Sequence, residues 1–144
     1  MNKRYFLAGL FTTVVLFLLN AIAYIAFLNN FFLSHPAVSD EFMKQLYLPA
    51  DRIIPWALVL STLAVGFLVT TVIYWSQART IPAGLKAGFI FAILFLCSVD
   101  FGLLATTNNF SVAGAFADLT TSTITITISS AVAAWVLGRG KGTR

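Results

Sequence analysis

Four long apolar segments, separated by short polar ones, make up most of the chain. They cover residues 5–28, 53–75, 86–107 and 115–137. A helix of about 20 residues spans a hydrocarbon layer of about 30 Å, so each segment is long enough to cross a membrane. The pattern predicts one membrane domain over residues 1–144: an all-α, integral membrane, antiparallel four-helix bundle.

The fourth segment contains an alternation of Thr and Ile over residues 120–130, which is typical of a strand. A lone strand in lipid would leave its backbone N–H and C=O groups unpaired, whereas a helix pairs them internally. We therefore expect a helix here.

The connection between the first two segments, residues 29–52, is the longest. Ser39 is suited to cap a short helix, and Asp40 and Glu41 are favourable in its first turn. One face of that helix carries Phe42, Met43, Leu46 and Tyr47. The pattern predicts a short external amphipathic helix between helices 1 and 2, lying on the membrane surface.

Composition and charge support a membrane protein and set its orientation. Hydrophobic residues make up 59% of the chain and charged residues 10%, against roughly 25% charged in soluble domains. With the N-terminus inside, Lys44 and Arg52 are the external basic residues, and seven others are cytoplasmic: Lys3, Arg4, Arg79, Lys86, Arg139, Lys141 and Arg144. Because basic residues favour the inner side, we expect both termini to be cytoplasmic. We also expect the membrane to be a bacterial cytoplasmic (inner) membrane.

Few residues are suited to chemistry. The single cysteine, Cys97, excludes an internal disulfide and a cysteine metal cluster, and the single histidine, His35, excludes a bis-histidine haem site within one chain. No phosphate loop, zinc motif or nucleophile elbow occurs. We expect no catalytic residue, no metal and no cofactor. The partners expected are membrane lipid and either a second copy of the chain, as a homo-oligomer, or other membrane proteins, but no nucleic acid.

Asp100 is the most informative position, because it lies roughly 21 Å along the third segment. An Asp at the centre of a spanning helix costs about 2.5–3.5 kcal/mol, so such residues face protein and find partners. One interpretation is proton or cation handling, and the other, which we favour, is a structural acid that fixes helix packing. Asn20 lies at a matching depth in the first segment and is the expected hydrogen-bond partner.

Asp118 has two interpretations. It pairs with Asp100 near one external opening, or, as we favour, it is a carboxylate in the first turn of the fourth helix, stabilised by the helix dipole. Thr121, Ser122, Thr125 and Ser129 follow at helical spacing, as a polar path or as packing hydroxyls.

Small residues predict where helices pack closely. In the fourth segment they recur every four positions, at Ser130, Ala134 and Gly138. The Gly84–Gly88 pair has the same spacing, but we give it little weight because it falls at the expected start of the third helix.

Residues 84–140 resemble small bacterial four-helix integral membrane protein families of unknown function. The resemblance rests on Gly84-Leu85-Lys86-Ala87-Gly88, Asp100, Ala105-Thr106-Thr107-Asn108, Asp118 and Trp135-Val136-Leu137-Gly138. It implies a fold and a topology but no reaction. It also implies that Asp100, Asn108 and Asp118 belong together, as a polar cluster at the outer mouth.

Three functions remain open. The favoured one is a non-enzymatic accessory or assembly protein that works through helix packing. The alternative is a small proton- or cation-coupled transporter or channel that uses Asp100, with Asn20, Asp118 and Thr125 lining the route. The third is an enzyme acting on lipid head groups, with a site formed by His35, Asp100 and Asp118.

Overall fold

Helices account for every regular element in the computed structural model, which describes residues 3–108 and 111–139. The elements are α1 (Lys3–Ala23), a π-helical segment (Tyr24–Leu28), α2 (Asn29–Ser34), α3 (Asp40–Leu46), a 3₁₀ turn (Ala50–Arg52), α4 (Pro55–Trp75), α5 (Ile81–Thr106) and α6 (Val112–Gly138). Four stretches are long and apolar enough to cross a membrane, and residues 120–130 are helical. The predicted all-α class is confirmed, and so is the prediction of four helices long and apolar enough to cross a membrane.

The first spanning stretch is longer than the predicted 5–28. It runs continuously from Lys3 to Ser34, because the N–H of Asn29 reaches the carbonyl of Tyr24 and the helix continues through the asparagine pair. It ends before Pro36, since a proline disfavours the helical conformation of the residue that precedes it. Its 32 residues extend for about 48 Å, which exceeds the hydrocarbon thickness.

The third and fourth spans begin earlier than predicted. Pro82 lies in the first turn of α5, where its missing N–H costs little, and Thr80 caps the helix by accepting from the N–H of Ala83. The predicted loop at 76–85 is therefore shorter. Ser111 likewise caps α6 by accepting from the N–H of Gly114 at 3.1 Å. Ser39 occupies the cap position of α3 as predicted, but its side chain makes no capping hydrogen bond.

The central helix is α6, which contacts α1, α4 and α5. More than half of its most apolar stretch is buried inside the protein, against about a fifth for the other three spans. Its buried face is made largely of small residues, so neighbouring backbones come close to it. The buried apolar core around it includes Leu16, Val69, Ile73, Ala92, Leu96, Ile126, Ala133 and Ala134.

The closest approach is between α5 and α6. A Cβ placed on Gly84 would lie 2.5 Å from the Cβ of Ala134, and a Cβ on Gly88 would overlap the side chain of Ser130. The low weight given to this glycine pair was wrong, because α5 begins at Ile81 and both glycines lie inside regular helix. Every fourth residue of α5 from the first glycine onward is buried: Gly84, Gly88, Ala92, Leu96 and Asp100. This set is called the glycine row below.

Basic residues from distant parts of the sequence meet at one end of the helices. Arg4 and Arg139 line the same cavity, and a Cβ on Gly138 would meet the carbonyl of Arg79. The two ends of the described chain and the α4–α5 connection therefore lie together. The side of the membrane on which this end lies stays a prediction, and Lys141 and Arg144 are outside the described residues.

The glycine row can be tested with one substitution at two positions of α5. Gly88→Ala should lower the free energy of unfolding in detergent by about 1–3 kcal/mol, because the new methyl overlaps Ser130. Gly102→Ala is the matched control, since nothing lies within 4 Å of its Cβ position. There we expect no loss and a gain of up to about 1 kcal/mol from helix propensity. Equal effects at the two glycines would contradict the packing.

Candidate functional site

Asp100 is the last member of the glycine row, so its side chain points at α6. Only 3% of the residue is exposed, and its Oδ2 atom has no hydrogen-bond partner within the described ranges. A buried polar atom without a partner is costly, and acids inside membrane spans usually mark a structural or functional site. Asp100 therefore remains a candidate site residue in the structure.

Asp118 lies across the helix pair from Asp100. Gly84 lies against Ala134 and Gly88 against Ser130, so residue numbers rise along α5 while they fall along α6. Extending this register to the end of the row places Asp100 opposite Asp118, and the charge of Asp118 acts on Asp100. The structure brings these two predicted site residues together.

The favoured interpretation of Asp118 as a first-turn carboxylate was wrong. α6 begins at Val112, and its first turn contains no acidic residue. A helix dipole acts mainly within the first turn, so it does not explain an acid at the seventh position. Asp118 is half-buried, and the Ser122 hydroxyl donates to its Oδ1 atom over a long 3.5 Å. Asp118 therefore lies in the second turn of α6, at the level of Asp100.

Asn20 bonds to α6 instead of Asp100. Its Oδ1 atom accepts from the hydroxyl of Thr125 at 3.0 Å, and that hydroxyl also lies 3.1 Å from the carbonyl of Ser122. The expected bond between Asn20 and Asp100 was wrong, because α1 packs on α4 and α6 while α5 packs mainly on α6. Asn20 and Thr125 thus form a polar tie between α1 and α6.

Further hydroxyls on α6 lack partners. In the described part of the chain, the buried side-chain oxygens of Thr123, Thr127 and Ser130 make no hydrogen bond, and neither does that of Thr12 on α1. Ser130 faces Gly88, and Thr123 and Thr127 precede it at helical spacing. The predicted stripe of Thr121, Ser122, Thr125 and Ser129 missed this set. The sequence held a signal for this set: three positions before Ser130 is Thr127, and four positions before that is Thr123, so all three lie near one face of the helix.

Among the described residues, none of the remaining candidates forms a hydrogen bond with either acid. Asn108 is exposed just beyond the end of α5, and Thr121 is half-buried on α6. His35 is exposed, with its ring stacked on Phe31 and its Nδ1 atom 2.9 Å from the hydroxyl of Ser34. Its carbonyl accepts from Ser111 at 2.8 Å, which ties the end of α2 to the start of α6. His35 therefore has a local structural role away from the acids.

The donor set does not suggest a metal centre. Among the described residues, no group of three or more His, Cys, Asp or Glu side chains comes together. What the pair offers chemically is two carboxyl groups that can share a proton or hold a single cation through oxygen atoms.

Comparison of the chain with protein-family models, with curated proteins and with solved structures gives no match. The resemblance of residues 84–140 to four-helix families stays a prediction. The roles of Asp100 and Asp118 are therefore inferred from their structural surroundings alone.

The facing positions of the two acids predict energetic coupling. Asp100→Asn and Asp118→Asn, measured singly and together by unfolding in detergent, should deviate from additivity by about 0.5–3 kcal/mol. The reason is that the first substitution removes the electrostatic interaction that the second would otherwise change. The control pairs Asp100→Asn with Asp51→Asn, an exposed acid in the 3₁₀ turn, and should be additive. If the effects of Asp100→Asn and Asp118→Asn add within about 0.5 kcal/mol, the two acids do not interact and the predicted coupling is wrong.

Proposed function

We propose that this chain is a non-enzymatic multi-pass membrane protein that works through helix packing, as an accessory or assembly component. The observation that carries the proposal is the position of Asp100. It belongs to the row of residues by which α5 packs on α6, and it is buried to 3% exposure. An acid in that position contributes to a specific helix contact and has no open approach from the side of the glycines.

The closed α5–α6 contact supports this function over conduction. At Gly88 the Ser130 side chain already occupies the space that a methyl group would need, which leaves no room for a water molecule at this point of the contact.

The outward surface of α5 is suited to a protein partner. α5 packs chiefly on α6, which leaves most of its circumference facing outward. Opposite the glycine row, Ser98, Gly102 and Thr106 form an exposed line of small residues, flanked by Leu94 with 68% of its surface exposed. Small residues let helices approach closely in membranes. The proposed partner is another membrane protein or a second copy of this chain, with lipid covering the remainder.

The proposal includes a topology. The helices form an antiparallel bundle in the bacterial inner membrane, with both termini in the cytoplasm. The meeting of Arg4, Arg79 and Arg139 at one end supports this orientation. α3 lies on the external membrane surface. Its exposed apolar residues Phe42 and Leu46 support an interfacial position.

A second candidate function is proton- or cation-coupled transport. The observation that favours it is the pair of facing acids, with the unpaired Oδ2 atom of Asp100 and the unpaired hydroxyls of Thr123 and Thr127 further along α6. Such oxygens could relay a proton or replace the water around a cation. Transport along this line would require α5 to separate from α6 at the glycines.

Flux measurements distinguish the two functions. Proteoliposomes containing the native chain should show no more proton or monovalent-cation flux than empty liposomes, because the helix contact is closed. The variants are Asp100→Asn and, as a control on the opposite face of α5, Ser98→Ala. Flux in the native chain and in Ser98→Ala that disappears in a folded Asp100→Asn would contradict the packing function and establish transport.

Cross-linking tests the packing function directly. A photoreactive residue in place of Leu94 should give discrete protein adducts in cell membranes, because the outward face of α5 meets a partner helix. The same residue in place of Lys44, exposed on α3, is the control and should give none of those adducts. Adducts with lipid alone at Leu94 would overturn the assignment of this face.

A further inference from the structure

A cavity at the basic end of the molecule has the chemistry of a lipid head-group site. It has a volume of about 320 Å³ and lies between the first turns of α1 and the last turns of α6. Two of its lining residues are arginines, Arg4 and Arg139, and the other four are apolar or aromatic: Leu7, Phe11, Trp135 and Val136. The cavity therefore combines positive charge at the helix ends with an apolar wall that continues toward the membrane interior.

The two arginines keep their donors free for a ligand. Neither guanidinium donates to a carbonyl or a carboxylate within residues 3–108 and 111–139. Arg79, at the same end, shows the contrast: its guanidinium donates to the carbonyls of Ile73, Tyr74 and Ala78. Arg139 is held in place without using its donors, because its guanidinium carbon lies 3.4 Å from the centre of the Trp135 ring.

The depth of the site fits a membrane lipid. Arg4 is the second residue of α1 and Arg139 follows the last residue of α6, so both lie at helix ends, where head groups are found. An arginine fork matches the oxygens of a phosphate in geometry and charge. Leu7 and Phe11 are one and two turns deeper along α1, at the level of the first methylene groups of an acyl chain.

We propose that this cavity binds an anionic phospholipid, with its phosphate between Arg4 and Arg139 and one acyl chain along Leu7, Phe11 and Val136. A bound lipid would join α1 and α6 at the basic end of the molecule. This site is independent of Asp100 and of the function proposed above.

Native mass spectrometry of the full-length protein tests the site. The protein in detergent is mixed with phosphatidylglycerol, which is anionic, or phosphatidylcholine, which is zwitterionic. The native chain should retain phosphatidylglycerol preferentially. Arg4→Gln and Arg139→Gln should each lower its apparent affinity roughly tenfold, as the loss of one charge-assisted contact predicts. Arg52→Gln, which removes a basic residue outside the cavity, is the matched control and should bind as the native chain does.

Two further arms separate a lipid from a simple anion. Excess inorganic phosphate should not displace phosphatidylglycerol, because it lacks the acyl chain that contacts Leu7 and Phe11; full displacement would overturn the lipid assignment. Thermal unfolding of each variant shows that it is folded, and Arg139→Lys should bind better than Arg139→Gln because it keeps the charge. Equal retention of the two lipids by the native chain, or native affinity in both folded Gln variants, would also overturn the proposal.

Discussion

The close contact between α5 and α6 determines how the remaining helices are arranged. Gly84 and Gly88 on one helix meet Ser130 and Ala134 on the other, and larger side chains at these glycines would hold the backbones apart. In lipid there is no hydrophobic driving force between helices, so close van der Waals packing of this kind supplies much of their attraction. α6 can then contact α1 and α4 with its other faces, which makes it the central helix.

The same contact explains the position of the acids. Asp100 follows Gly84 by sixteen residues, which is four repeats of four, so the packing that buries the glycines also turns the carboxyl toward α6. The opposite direction of α6 places Asp118 at the same level. The cost of an intramembrane acid is reduced when protein surrounds it. The closed packing at Gly88 is the observation that supports the proposed packing role over conduction.

The sequence predicted the class of fold well and the contacts less well. Hydropathy located four spans because spanning lipid requires about 20 apolar residues, and backbone pairing correctly overruled the strand-like pattern at 120–130. Helix ends were displaced because hydropathy does not detect capping residues: Thr80 starts α5 at Ile81, and Ser111 starts α6 at Val112. The displaced start of α5 hid the glycine contact, and the displaced start of α6 made Asp118 look like a first-turn residue. The hydrogen bond between Asn20 and Thr125 could not be predicted, because the depth of a residue in the membrane does not show which helices are neighbours.

The central claim is that the glycine row holds Asp100 against Asp118 in the membrane. Solid-state NMR in lipid bilayers tests it most directly, with carbon-13 labelling of aspartate, glycine and serine only. The account predicts through-space correlations between the side-chain carboxyl carbons of Asp100 and Asp118 and between the Cα of Gly88 and the Cβ of Ser130. Absence of both correlations, with the signals of all four residues assigned and rigid, would contradict it.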